Sequence, residues 1–252
     1  MSKITFENRD GINLTGNLEK PESGEVRATA LFAHCFTCGR DIRGAREITR
    51  ALANEGFAVL RFDFTGLGES EGDFADTSFS SNLDDLEDAA GWLASQLEAP
   101  HLLMGHSLGG AAMLAVAERI DSARAVVTLG APSSPDNVLR QFGKDSMKEI
   151  QENGCAAVEL AGRTFRIRED FIEDARSHDL NARLEKLNRA LLIMHSPLDK
   201  VVSIDHAQRI FAAAKHPKSF VSLDRADHLL SDPEDATYAA RVIAAWSSHF
   251  LP

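Results

Sequence analysis

The stretch His101-Leu102-Leu103-Met104-Gly105-His106-Ser107-Leu108-Gly109-Gly110-Ala111-Ala112-Met113-Leu114-Ala115-Val116 reads as a strand, a tight turn and a helix. The apolar run 101–104 is what a strand covered on both faces looks like, and the small, unbranched residues after Gly110 favour a helix. Ser107 stands at the junction, between Gly105 and Gly109. A serine on so sharp a turn holds its hydroxyl out at the end of a strand, in backbone that carries strain. Flanking glycines remove Cβ atoms that would meet the neighbouring strand and helix. The following helix points its N-terminus at the serine and favours negative charge there. This context marks Ser107 as a candidate nucleophile rather than an idle serine in a Gly-rich turn.

Working outward, four more short apolar runs share the texture of 101–104: 28–33, 57–62, 125–129 and 190–194. Helical spacing alternates with them. Ala45, Ile48 and Leu52 share a face that stops at Gly56. Leu83, Leu86, Ala90, Leu93 and Leu97 form another, with Ser81 and Asp84 spaced as a capping pair. Two more faces follow, one from Ser203 through Ala207, Ile210, Phe211 and Ala214, and one from Asp232-Pro233 through Ala239, Val242, Ile243 and Trp246. Strand then helix, repeated, predicts an α/β fold with a mostly parallel sheet covered on both faces. Ahead of it, runs 3–8 and 12–18 meet across Asp10-Gly11 and predict an antiparallel hairpin. No linker interrupts the chain, so residues 1–252 are expected to form one domain. The segment 133–188 breaks the alternation, and residues 158–165 within it have the pattern of a small hairpin. It is expected to be a cap over the C-terminal edge of the sheet, where open α/β folds place their ligands; the plainer alternative is a long crossover with no lid role.

The chain has 27 Lys and Arg against 38 Asp and Glu, a formal charge of −11. That balance offers nothing to nucleic acid or an anionic membrane, so the expected partner is a small molecule. No run approaches the ~18 apolar residues of a membrane span, and no leader pattern opens the chain, which points to the cytoplasm. Three cysteines, Cys35, Cys38 and Cys155, are too few and odd in number for a disulfide framework. Cys35 and Cys38 have redox spacing, but Gly39-Arg40-Asp41 separates them from the next helix, and zinc would need a second ligand pair. Their expected role is to pack a loop. Gly66 and Gly68 suggest a dinucleotide loop, yet Glu71 stands where the third glycine belongs. Neither an organic cofactor nor a metal is expected.

With Gly105-His106-Ser107-Leu108-Gly109-Gly110 following a buried strand, the chain resembles the α/β-hydrolase family, and the resemblance spans nearly its whole length. It implies the α/β-hydrolase fold and the chain order nucleophile, acid, base. Asp199, in the loop leaving the strand at 191–195, matches the family's acid; its rival Asp205 belongs to the next helix and its dipole. His228, in the loop after the strand at 220–223, matches the base, and the other eight histidines lie at positions the pattern does not use. The oxyanion donors implied are the N–H groups of Leu108 and Phe36, the latter in Ala33-His34-Cys35-Phe36-Thr37. Cys35 departs from the family's usual glycine, which leaves the Cys35 N–H as the neighbouring alternative. Asp63-Phe64-Thr65-Gly66-Leu67-Gly68-Glu69-Ser70 looks like a structural turn bordering the site.

The activity implied is that of a serine carboxylesterase cleaving small to medium acyl esters through an acyl-serine. Thioester or peptide cleavage on the same triad, and a slow-turnover module that binds a ligand or partner, are the alternatives. A serine at position 107 argues against the epoxide hydrolase and dehalogenase branches, which use a carboxylate there. Three motifs, 34–38, 62–68 and 105–112, look like the hydrolase half of bacterial proteins that fuse this fold to an OsmC-like domain. An OsmC-like partner is therefore expected, for either a stand-alone member or an excised domain.

Overall fold

The computed structural model describes residues 1–160 and 162–252. Its strands are β1 (Ser2–Glu7), β2 (Asn13–Glu19), β3 (Ala28–Ala33), β4 (Phe57–Phe62), β5 (Leu102–His106), β6 (Ala125–Leu129), β7 (Cys155–Leu160), β8 (Arg163–Arg168), β9 (Ala190–His195) and β10 (Lys218–Ser222). Eight of them form one sheet in the order β1-β2-β4-β3-β5-β6-β9-β10. The β1–β2 and β2–β4 pairs are antiparallel, and every other neighbour in this sheet is parallel. Gly11 turns the first hairpin with φ +76°.

Successive residues of the central strands feed opposite layers, as the period of two requires. Leu31, Leu60, Leu103, Val126, Leu191 and Ile193 enter one core, shared with helices α2 (Phe79–Gln96), α3 (Leu108–Val116) and α7 (Asp205–Ala213). Phe32, Val59, Met104, Val127, Leu192 and Met194 enter the other, against α1 (Arg43–Asn54) and α8 (Pro233–Ser247). Burial of this kind supplies about 1.5–3 kcal/mol per large apolar side chain. All nine residues of α3 are buried, so small side chains there are a packing requirement. No helix among the described residues is long and apolar enough to cross a membrane.

The N-terminus of α2 differs from the expected Ser81–Asp84 cap. Ser78 is the N-cap and Ser81 reaches back to it, so the helix begins one turn earlier. The cause is Phe79, fully buried, which extends the apolar face of Leu83, Leu86 and Leu93 upstream.

Between β6 and β9 the chain folds as α4 (Lys144–Asn153), the antiparallel hairpin β7–β8, α5 (Glu169–Ser177) and α6 (Leu180–Glu185). Aromatic contacts bind it to the sheet's C-terminal edge: Phe165 meets Phe74 at 4.9 Å, and Phe171 and Phe142 meet Phe36 at 5.3 and 6.1 Å between ring centroids.

Candidate active site

Ser107 adopts φ 53°, ψ −126°, a backbone conformation that L-residues avoid. The turn holds because its neighbours lack side chains. A Cβ on Gly105 would lie 2.2 Å from the Gly109 carbonyl oxygen, and one on Gly109 would lie 2.4 Å from that of His34. The second clash shows how tightly the loop leaving β3 abuts the start of α3. That approach brings Phe36 and Leu108 onto one narrow cavity, together with Phe64, Leu67, Phe74 and Ala112. Neither the Phe36 nor the Leu108 N–H is used by a hydrogen bond among the described residues.

Ser107, Asp199 and His228 come from three loops and meet in one chain of hydrogen bonds. His228 Nδ1 lies 2.7 Å from Asp199 Oδ2, and His228 Nε2 lies 3.2 Å from Ser107 Oγ. The other Asp199 oxygen accepts from the Val201 and Val202 N–H groups at 2.8 and 2.9 Å. Burial by itself would raise the Asp199 carboxyl; the hydrogen bonds from His228 and the two amides outweigh it and hold the group below the usual carboxylate range. Gly130, with φ +58°, makes room for the pair, since a Cβ there would be 3.3 Å from Asp199 Oδ2. Asp205 stays apart as the first residue of α7.

Cys35 and Cys38 are joined by a disulfide, with Cα atoms 5.3 Å apart. This corrects the expectation of two thiols packing a loop. Thr37, at φ 59°, folds the loop back on itself, and the Cys38 N–H donates to the Cys35 carbonyl at 3.2 Å, so spacing that looks like a redox pair closes locally. Beneath this loop lies a charge network that the sequence pattern does not announce. Asp63 accepts from the Arg40 amide at 2.6 Å, the Glu69 amide at 3.0 Å and the Arg40 guanidinium. Arg61, fully buried in β4, donates to Glu19 at 2.9 Å, Thr49 at 3.0 Å and the Arg40 carbonyl at 3.1 Å. The available signal was Arg61 itself, a charge inside an otherwise apolar strand.

Three buried histidines at the ends of parallel strands also escaped the motif reading. His34, after β3, donates through Nδ1 to the Cys35 carbonyl at 2.8 Å. His106, closing β5, donates through Nε2 to the His228 carbonyl at 2.6 Å, and His195, closing β9, to the Val202 carbonyl at 2.8 Å. A carbonyl only accepts, so each ring nitrogen named carries the proton. The opposite nitrogens, His34 Nε2, His106 Nδ1 and His195 Nδ1, are buried without a partner among the described residues. Burial is the main cause that holds all three imidazoles below their ordinary value, and His106 is pushed down to about 3. Each neutral ring pins one loop of the site.

Comparison with known proteins places the chain in a family and a fold. The family model described as the alpha/beta hydrolase family matches residues 30–241. The crystal structure of the esterase domain of a Rhodothermus marinus protein is 43% identical, with a TM-score of 0.81 over 100% of this chain and 99% of that one. Est1E from Butyrivibrio proteoclasticus, with ferulic acid bound, is 22% identical with a TM-score of 0.84, covering 98% and 99% of the two chains, and shares the fold. The mitochondrial palmitoyl-protein thioesterase ABHD10 of Rattus norvegicus is 26% identical over 187 residues, 71% of this chain and 62% of that protein. The chain thus spans less than two thirds of that curated relative's length.

Proposed function

The chain belongs to the alpha/beta hydrolase family, and from that premise we propose that it is a serine carboxylesterase acting on small to medium acyl esters. The observation that carries the reading is His228, placed between Asp199 and Ser107 at 2.7 and 3.2 Å. Ser107 Oγ attacks the ester carbonyl while His228 Nε2 takes its proton. Asp199 fixes the tautomer of His228 and offsets the imidazolium charge. The oxyanion is received by the Phe36 and Leu108 N–H groups, unused in the resting protein. His228 then protonates the departing alcohol, and water, deprotonated by His228, cleaves the acyl-serine to acid and free Ser107.

Two features support short acyl groups. The cavity beside Phe36 and Leu108 is lined mostly by apolar side chains, with His34 and Asn82 the polar ones, and holds about 10 Å³, roughly one water molecule. Phe142 and Phe171 close on Phe36 from the cap side, so a long chain would have to displace them. Thioester cleavage is the second reading, favoured by the likeness to a protein named a thioesterase.

A fluorophosphonate probe should label wild-type protein at Ser107, and Ser107→Ala should abolish labelling and lower ester turnover by several orders of magnitude with the fold intact. Retention of a tenth of wild-type kcat would contradict the reading. A panel of p-nitrophenyl esters from acetate to palmitate, run beside matched thioesters, should peak at short oxygen esters; a palmitoyl thioester optimum would favour the second reading.

A further inference from the structure

His106 lies next to the nucleophile in the chain, yet its side chain reaches the backbone of the base. Its Nε2–H donates to the His228 carbonyl at 2.6 Å, and the two rings lie 4.8 Å apart at an interplanar angle of 48°. No other group among the described residues donates to that carbonyl. The loop carrying His228 is otherwise shaped by its own short bonds, Leu230 N–H to the Asp227 carbonyl at 3.2 Å and Ser231 N–H to Asp227 Oδ1 at 2.8 Å. These fix the loop's curvature but do not tie it to β5. The His228 ring must satisfy Asp199 through Nδ1 and face Ser107 through Nε2 simultaneously, so a rotation of its main chain spoils one or both. His106 stands out on its strand as well: Leu102, Leu103 and Met104 precede it, and its Nδ1 is buried without a partner among the described residues. Leaving a buried polar atom unpaired carries a desolvation cost that an apolar residue would avoid, which leaves the Nε2–H bond as the reason for a histidine here.

We propose that His106 is a positioning residue, whose Nε2–H clamps the main chain of His228 to the strand that carries Ser107, setting the approach of base to nucleophile. The inference rests on the hydrolase reading above. His106 bonds the main chain of His228 and packs against its ring, makes no hydrogen bond to Ser107 or Asp199 among the described residues, and acts through His228.

The test compares His106→Gln, which keeps a side-chain N–H donor, with His106→Met, of similar length and without one, and His106→Phe, a ring without one. Each is measured for kcat and KM on a short p-nitrophenyl ester, with active sites counted by fluorophosphonate labelling. Misplacement of a reacting group by about 1 Å costs up to about 100-fold. The Met and Phe variants should therefore lose 10- to 100-fold in kcat per labelled site with KM within about twofold, and Gln should recover most of the loss. Met or Phe turning over within twofold of wild type would overturn the clamp, as would Gln performing no better than Met. Failure of Met and Phe to fold would assign the bond to stability alone and also overturn it. If wild-type Ser107 neither labels nor turns over ester, the hydrolase reading itself is wrong and the positioning role falls with it.

Discussion

At the residue scale, the site divides into groups that a motif announces and groups that only packing reveals. Ser107 is announced, because a tight turn between strand and helix demands glycine at positions 105 and 109, and the clashes of 2.2 and 2.4 Å that a Cβ would make there give that demand a physical cause. Asp199 is separable from Asp205 by chain position, and the contact with His228 at 2.7 Å agrees with that choice. Asp199→Asn should lower kcat by about 10³–10⁴-fold, because an amide no longer selects the Nδ1–H tautomer of His228. Asp205→Asn should change only the N-terminus of α7, at about 0.3–1 kcal/mol of stability with kcat unchanged. Steady-state kinetics and thermal melts of the two variants decide the assignment, and the opposite ranking would refute it. His34, His106 and His195 were illegible for a different reason. A lone histidine beside an apolar run has no periodic signature, and its partners are carbonyls up to 122 residues away along the chain.

At the scale of elements, the strands and most helices were readable because burial on two faces and on one face leave different periods in the sequence. What the periods omit is how elements touch. The start of α2 moved upstream because one buried phenylalanine outweighed a plausible cap, and the Cys35–Cys38 bond depends on a loop conformation no spacing fixes. The Arg40–Asp63 pair belongs here too, since it joins the exit of β3 to the exit of β4; the side chains are 5% and 2% exposed. Asp63→Asn would leave the Arg40 charge buried, with the exposed Glu69 and, at 3.8 Å, Asp41 as its remaining carboxylates, and should cost about 3–5 kcal/mol. The Lys3–Glu69 bridge, 3.0 Å long and over half exposed at both ends, provides the contrast. Lys3→Ala should cost under about 1 kcal/mol. Urea denaturation of both variants measures the difference, and equal losses would mean that burial is not what gives the Arg40–Asp63 pair its weight.

At the scale of the whole molecule, the strand ends converge on one edge of the sheet, and three of them carry a neutral buried imidazole that pins a loop of the site. This arrangement gives stability a definite dependence on pH. In the unfolded chain each histidine titrates near its ordinary value of about 6.5. In the folded protein His34, His106 and His195 are all held lower, His106 at about 3. Above pH 7 both states leave these rings neutral, and they contribute no slope. As pH falls through about 6.5 the unfolded chain takes up protons that the folded protein refuses, so the unfolded state gains and stability drops. A single group of this kind contributes up to about 1.4 kcal/mol per pH unit. Asp199 works in the same direction at lower pH, because its stabilising charge is lost as pH falls through its depressed folded value. Unfolding free energy from urea titrations should therefore be nearly flat in this contribution between pH 8 and 7. Around pH 5 it should fall by at least about 1.4 kcal/mol per pH unit, the one proton that His106 refuses, and by more as His34 and His195 add to it. His106→Gln removes that proton and should reduce the slope near pH 5 by up to about 1.4 kcal/mol per pH unit, whatever its effect on turnover. A curve with no slope between pH 7 and 5, or a His106→Gln curve parallel to that of the wild type, would show that the buried rings accept protons in the folded state and do not serve as neutral clamps.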